Sequence, residues 1–205
     1  MLNNKGFDLW AKEYDKSVDL SYEEKTYPFI SYKEILNEIY NRVLKSKGRK
    51  ILDIGFGTGT LTSSLYDKGF DVYGQDFSEE MVKISRGKMP KAKLYLGDFT
   101  NGLVDDLMNQ KYDLIIATYS LHHLSDEKKI FFIKSLLSLL NEGRRIYIGD
   151  IAFKTRKDLE ACKIKEREYW DNEEIYFVYE ELKIRLPNLS FEKFSYCSGL
   201  LTISN

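Results

Sequence analysis

Ile51-Leu52-Asp53-Ile54-Gly55-Phe56-Gly57-Thr58-Gly59-Thr60 is the stretch on which the fold assignment turns. Ile51–Ile54 is a strand-length apolar run, and it stops in three glycines at alternate positions. Glycines let the backbone turn sharply and let a ligand lie directly on the main chain, at a helix start whose free N–H groups attract electronegative atoms. A dinucleotide fingerprint, G-x-G-x-x-G, would put its third glycine at position 60, which is Thr60. The order here is instead D-x-G-x-G-x-G, led by Asp53. A carboxylate beside the loop suits a positively charged ligand better than a pyrophosphate, which it would repel.

Working outward, the apolar pattern alternates between strand and helix. Upstream, Phe7, Trp10, Ala11 and Tyr14 predict a short amphipathic helix, and Ile35, Leu36, Ile39, Tyr40, Val43 and Leu44 a longer one ending near Gly48. Downstream, Leu61–Lys68 reads as a helix and Val72–Gln75 as a strand. Ser78 is placed to cap a helix running to Lys88, with Glu79 and Glu80 in its first turn. Leu94–Leu96 and Tyr112–Thr118 are further strands. Ser125 opens a helix with Ile130, Ile133, Leu136, Leu137 and Leu140 inward, expected to close at Gly143. Arg145–Ile151 is a fifth strand.

Such alternation predicts an α/β fold, a parallel sheet covered on both faces, with the loops that follow the strands gathered on one edge. The end of the chain differs. Leu159, Cys162, Tyr169 and the stripe Ile175, Val178, Tyr179 and Leu182 predict one or two helices, stopped by Pro187. Phe191–Cys197 and Leu200–Ser204 predict a hairpin turning at Ser198-Gly199. No repeat or linker interrupts the 205 residues, so one domain, 1–205, is expected.

Composition narrows the function. Lys+Arg 31 against Asp+Glu 32 gives a net charge of −1, with no overall pull toward nucleic acid or anionic membrane. The basic stretches Lys83–Lys93 and Lys154–Lys157 are interrupted by acids and apolar residues and read as solvated surface. No apolar run approaches the roughly 20 residues of a membrane span, and no signal peptide is legible, so a soluble cytoplasmic protein is expected. With 2 Cys and 2 His, a four-ligand Cys/His zinc site would need every one of them. His122 and His123 are adjacent while Cys162 and Cys197 lie far apart, so no metal site is expected, and the cysteines are read as small buried hydrophobes.

Two more acids close strands. Asp76 ends the second, where a carboxylate can accept both hydrogens of a ribose diol. Asp98 follows the third, where it could accept from an adenine amino group while Phe99 or Phe77 covers the ring. On Asp53–Gly59, Asp76, Asp98 and the fourth strand Tyr112–Ala117, the chain resembles the class I S-adenosylmethionine-dependent methyltransferases over nearly its full length. Trp10-Ala11-Lys12-Glu13-Tyr14-Asp15 and Ser120-Leu121-His122-His123-Leu124 are similar to a group of small bacterial members largely without assigned substrates.

The resemblance implies a Rossmann-like doubly wound sheet of seven strands in the order 3-2-1-4-5-7-6, the last hairpin antiparallel. It further implies an N-terminal helical lid or cap (1–48), a cofactor-binding core (49–151), a helical insertion (152–187) and a C-terminal hairpin (188–205). Gly55 and Gly57 would lie under the methionine part of S-adenosylmethionine, with Asp53 and Gly59 also in the cofactor-binding loop; Asp76 would hold the ribose and Asp98 the adenine. The segment around Thr118–Ser120 would line the donor, with Tyr14 reaching it from the lid. S-adenosylhomocysteine would be the product.

His122 and His123 fall just past the fourth strand, on the ligand-binding edge. One of them is a candidate base for an acceptor protonated at working pH; equally, the pair fixes the loop by hydrogen bonds to backbone. Phe7, Trp10 and Tyr14 are likewise either a lid or an apolar face packed on the sheet. Aromatic residues concentrate in the N-terminal segment and beyond residue 151, the parts that shape the acceptor side in this family, which suits a small, partly apolar or cationic acceptor. Two other readings stay open: a non-catalytic binder of the donor or its product, and an NAD-dependent oxidoreductase, which Thr60 and the C-terminal hairpin disfavour. A monomer or homodimer is expected.

Overall fold

The computed structural model describes residues 26–205. The N-terminal helix read from Phe7–Tyr14, and Tyr14 with it, lies outside them. The elements in chain order are α1 (Tyr32–Lys45), β1 (Lys50–Ile54), α2 (Thr60–Asp67), β2 (Asp71–Asp76), α3 (Glu79–Lys88), β3 (Lys93–Leu96) and α4 (Asp105–Met108). There follow β4 (Tyr112–Thr118), α5 (Asp126–Ser138), β5 (Leu140–Phe153), α6 (Arg156–Lys165), β6 (Phe177–Val178), α7 (Tyr179–Lys183), β7 (Ser190–Lys193) and β8 (Ser198–Ser204). Helix starts are set locally. Ser78 accepts from the Met81 amide at 3.2 Å, Ser125 from that of Lys128 at 3.3 Å, and Thr155 and Asp158 form a reciprocal capping box. Each such cap contributes about 1 kcal/mol.

The sheet runs β3-β2-β1-β4-β5-β8-β7, with β6 paired to β5 off this path. β1 lies parallel to β2, Leu52 opposite Tyr73, and parallel to β4, Leu52 opposite Ile115. β8 returns antiparallel between β5 and β7. Successive strand residues feed opposite cores, as a sheet covered on both faces requires. Ile51, Val72, Leu114 and Ile116 pack with α1, α2, α3 and α6; Leu52, Tyr73, Ile115 and Ala117 pack with α4, α5 and α7.

The expected path 3-2-1-4-5-7-6 is thus followed, but its last two strands are the eighth and seventh in the chain. The additional strand is β6. Its residues belonged to a stripe read as helical; Phe177 and Val178 pair with Ala152 and Phe153 instead, and the helix begins only at Tyr179. A short apolar run satisfies either period, and here strand pairing wins.

Two other boundaries move. α5 stops at Ser138, and Leu140 opens β5 opposite Tyr112, so Gly143 (φ 69°) sits inside a register shift between β4 and β5 and not at a helix end. The hairpin turns over residues 194–197, because the Ser195 side chain bonds Ser198 and the Cys197 and Ser198 amides there; Ser198 and Gly199 already belong to β8.

α1 approaches β5 at Gly149, where an added Cβ would lie 2.4 Å from Ile35 Cγ2, on a helix whose Ile35 and Ile39 are fully buried. Overpacking of this kind costs about 1–3 kcal/mol. Gly149→Ala is therefore expected to destabilise by that amount in urea unfolding, and Ile35→Ala, which removes Cγ2, to cost less in the G149A background than in the natural chain; simple additivity of the two changes would contradict this packing.

Candidate functional site

The carboxyl ends of β1, β2 and β4 meet where the strand order reverses, the place at which open α/β sheets bind ligands. The loop after β1 is built by glycine. Gly55, Gly57 and Gly59 have φ of 68°, 56° and 75°, in the left-handed region that side-chain-bearing residues avoid. At Gly55 a Cβ would lie 2.5 Å from Ser120 Cβ, and the Ser120 hydroxyl donates to the Ile54 carbonyl at 2.8 Å, locking the loop against the end of β4. At Gly57 a Cβ would meet nothing within 4 Å. The loop presents its backbone to open space there.

Asp76 holds this loop from β2. Its Oδ2 accepts from the Gly57 amide at 2.8 Å and its Oδ1 from the Ser78 amide at 3.0 Å. Asp53 is buried beneath the loop. Thr62 donates to its Oδ2, while Oδ1 has no hydrogen-bond partner among the described residues. Burial raises its carboxyl to about 7, only partly offset by the Thr62 bond.

One cleft gathers Gly55, Gly57, Asp76, Phe77, Phe99 and Thr118 with His122 and His123. Gly59 and Asp98 do not line it. Gly59 begins α2, and Asp98 is exposed, its carboxylate accepting from the Thr100 amide and the Asn101 side chain at 2.8 and 2.9 Å. Asp53 lines a small crevice adjoining the cleft, with Gly55 and Gly57. The cleft also holds Tyr119 and Ser120, of the segment expected to line the donor, and residues not singled out from sequence, among them Phe29, Met81, Ile151 and Glu174.

The histidines occupy the 3₁₀ turn Leu121–His123. His122 is buried, and its Nδ1 lies 2.7 Å from Oδ1 of Asp150, a fully buried residue of β5. A carboxylate accepts and does not donate, and this oxygen also takes the Ile151 amide at 2.7 Å. The ring proton is therefore on Nδ1, and Nε2 faces the cleft, 3.5 Å from Glu174 Oε1. Burial alone would lower the His122 pKa; the Asp150 and Glu174 carboxylates outweigh it and set it above the usual histidine value. His123, its ring centroid 4.3 Å away, is pushed down to about 4 by burial and by His122.

Glu174 is held there by a clamp that the helical pattern of α5 hid. Lys129, with no exposed surface, donates to the Ile175 carbonyl and to Asp126 at 3.0 Å, and the Ile175 amide donates to the His122 carbonyl at 2.9 Å. Beyond it, the Tyr27 hydroxyl donates to that of Tyr176 at 2.6 Å, and Trp170 stacks on Tyr27 and meets Tyr176 edge-on. Burial pushes both tyrosines well above the usual phenol value. Cys162 and Cys197 are both buried and free. Among the described residues no helix is long and apolar enough to cross a membrane.

A family model described as a methyltransferase domain matches residues 51–143. An uncharacterized methyltransferase of Geobacillus sp. (strain WCH70) is 37% identical over 163 residues, 79% of this chain and 73% of that one. A second, of Bacillus thuringiensis (strain Al Hakam), is 38% identical over 165 residues, 77% and 73% of the two chains. Among solved structures, magnesium protoporphyrin IX methyltransferase from Synechocystis PCC 6803 with bound SAH shares the fold. Its TM-score is 0.66 at 21% identity, covering 86% of this chain and 85% of that one.

The Asp53 carboxyl yields a pH signature. Below about pH 4 it is protonated folded or unfolded; between about 4 and 7 the native state alone keeps the proton, so its contribution to stability falls as pH rises through that window. Asp53→Asn removes this loss. The melting temperature of D53N should gain on that of the natural chain from about pH 5 to about pH 8; a constant difference would refute the buried, proton-holding carboxyl.

Proposed function

Since the chain belongs to the class I S-adenosylmethionine-dependent methyltransferases, we propose that it transfers a methyl group from S-adenosylmethionine to a small-molecule acceptor by in-line displacement. The observation that carries this reading is one continuous cleft, running from the open backbone at Gly57 to the His122–Glu174 wall. The residues at its first end fit the donor. The uncovered Gly57 backbone suits the methionine part, and Asp53 lies below it with one oxygen unmatched, a carboxyl that the donor's positive charge would draw toward its ionised form. Asp76 lines the cleft with a carboxylate that would accept from the ribose hydroxyls, while Phe77, Phe99 and Met81 offer apolar surface to the adenine. Asp98 in its present bonds is a cap for the Phe99 turn, so its share in adenine binding would be indirect.

The sulfonium carries the reactivity, and the chain supplies alignment and exclusion of water. Thr118, Tyr119 and Ser120 lie between the loop and the histidines and would flank the methyl group. The acceptor's nucleophilic atom would meet His122, His123 and Glu174, the wall at which it gives up or withholds its proton. Phe29 in the cleft, and Tyr176 and Trp170 behind Glu174, favour a small acceptor with an apolar or cationic body. The two free buried thiols support a cytoplasmic setting, where they would stay reduced.

Two variants test the two ends separately. Gly57→Ala costs only about 1–2 kcal/mol of left-handed strain, yet its methyl enters the donor's space. It should fold and lose about tenfold or more in affinity for S-adenosylhomocysteine by calorimetry; unchanged affinity would move the donor off the loop. With an acceptor found by screening metabolite pools against labelled donor, His122→Ala should lower kcat by about 10²–10⁴-fold at nearly constant donor affinity. Full turnover in H122A would remove that wall from the chemistry.

A further inference from the structure

His122, His123 and Glu174 offer ligand atoms that all lie within 4.8 Å of one another. His122 bonds Asp150 through Nδ1, and its Nε2 faces a Glu174 carboxylate oxygen at 3.5 Å. At 3.5 Å the two are too far apart for a good hydrogen bond to join them. It matches a different arrangement. Two N/O ligands of a tetrahedral zinc-like ion, each at about 2.0–2.2 Å, are about 3.4 Å apart. The Asp150–His122 bond is the support that metal-bound imidazoles commonly have, a carboxylate fixing the far nitrogen and turning the near one to the ion. Glu174 is fixed in turn, its neighbour Ile175 pinned by Lys129 and by the His122 carbonyl.

We infer that His122, His123 and Glu174 form a three-ligand site for a divalent transition-metal ion, its fourth position open to the acceptor. This deepens the methyltransferase reading and rests on it, since the ion would stand at the acceptor end of the same cleft. It revises the expectation of no metal site, which counted cysteines and histidines and left out the carboxylate supplied from 50 residues further along the chain. The site closes on an ion when the half-buried His123 or Glu174 side chain rotates to shorten the longest separation. An acceptor hydroxyl or thiol bound at the open position loses its proton to solvent more readily, as water does on zinc. Its lone pair then forms the bond to the donor's methyl carbon while the carbon–sulfur bond breaks. That electron pair passes to sulfur, which leaves as the neutral thioether of S-adenosylhomocysteine.

The test needs no acceptor. The full chain, stripped with chelator, is titrated with Co²⁺ and followed by visible d–d absorption, then back-titrated with Zn²⁺. One equivalent of low-symmetry Co²⁺, displaced by Zn²⁺, is expected. Glu174→Gln and His123→Ala should each weaken binding at least tenfold, Asp150→Asn should weaken it about 10–100-fold, and Cys162→Ser with Cys197→Ser should leave it unchanged. Retained thermal transitions in E174Q and H123A exclude unfolding as the cause of the loss. Absence of the Co²⁺ band, or binding indifferent to both E174Q and H123A, overturns the site. S-adenosylhomocysteine titrated in parallel separates the two claims: donor binding without Co²⁺ binding removes only the metal, and absence of donor binding removes the methyltransferase reading itself.

Discussion

The site exists because β1 has a parallel neighbour on either side and the chain leaves in opposite directions to reach them. From β1 the chain crosses through α2 to β2, then returns past β3 to place β4 on the other flank. Helices diverging from that point leave a crevice above the carboxyl ends of β1, β2 and β4. The glycine loop, Asp76 and the Thr118–Ser120 segment stand there because each directly follows or ends one of those strands. Gly55 lets Ser120 come within contact of the loop, so the loop and the end of β4 form one rigid floor. Donor geometry is in that sense a property of the sheet.

The acceptor end is built by a different principle. Asp150 lies within the buried stretch of β5, His122 sits one turn past β4, and Glu174 arrives from the segment between α6 and β6. What brings them together is a set of buried polar bonds: Asp150 to His122, Lys129 to Ile175, and Ile175 back to His122. Buried polar groups cost free energy unless bonded, so such a network specifies one arrangement strongly when it is complete. This network joins strand, helix and insertion around one imidazole and leaves its other nitrogen aimed into the cleft.

Most of the strand-end half of the cleft was legible in the sequence. Asp53, Gly55 and Gly57 are contiguous, Asp76 follows a recognisable strand, and local periodicity is enough to place them on one edge. The acceptor half was half legible. His122 and His123 announced themselves by position, but Asp150 read as a strand end and Glu174 as one acid in a charged segment. Lys129 hid inside an amphipathic helix, where a lysine beside Ile130 looks like its solvent face. Their meaning lies in contacts between elements far apart in the chain, and no periodicity records those. The misplaced boundaries have the same origin: β6 and the start of β5 are strands because of the partners they meet, Ala152 and Tyr112, against helix-like local spacing.

The most direct test of this account is a crystal structure with S-adenosylhomocysteine bound. The account predicts the ribose on Asp76, the methionine part over Gly57, and the sulfur turned along the cleft toward His122 and Glu174. A sulfur turned away from that wall, or a ligand bound outside the strand-end crevice, would contradict it.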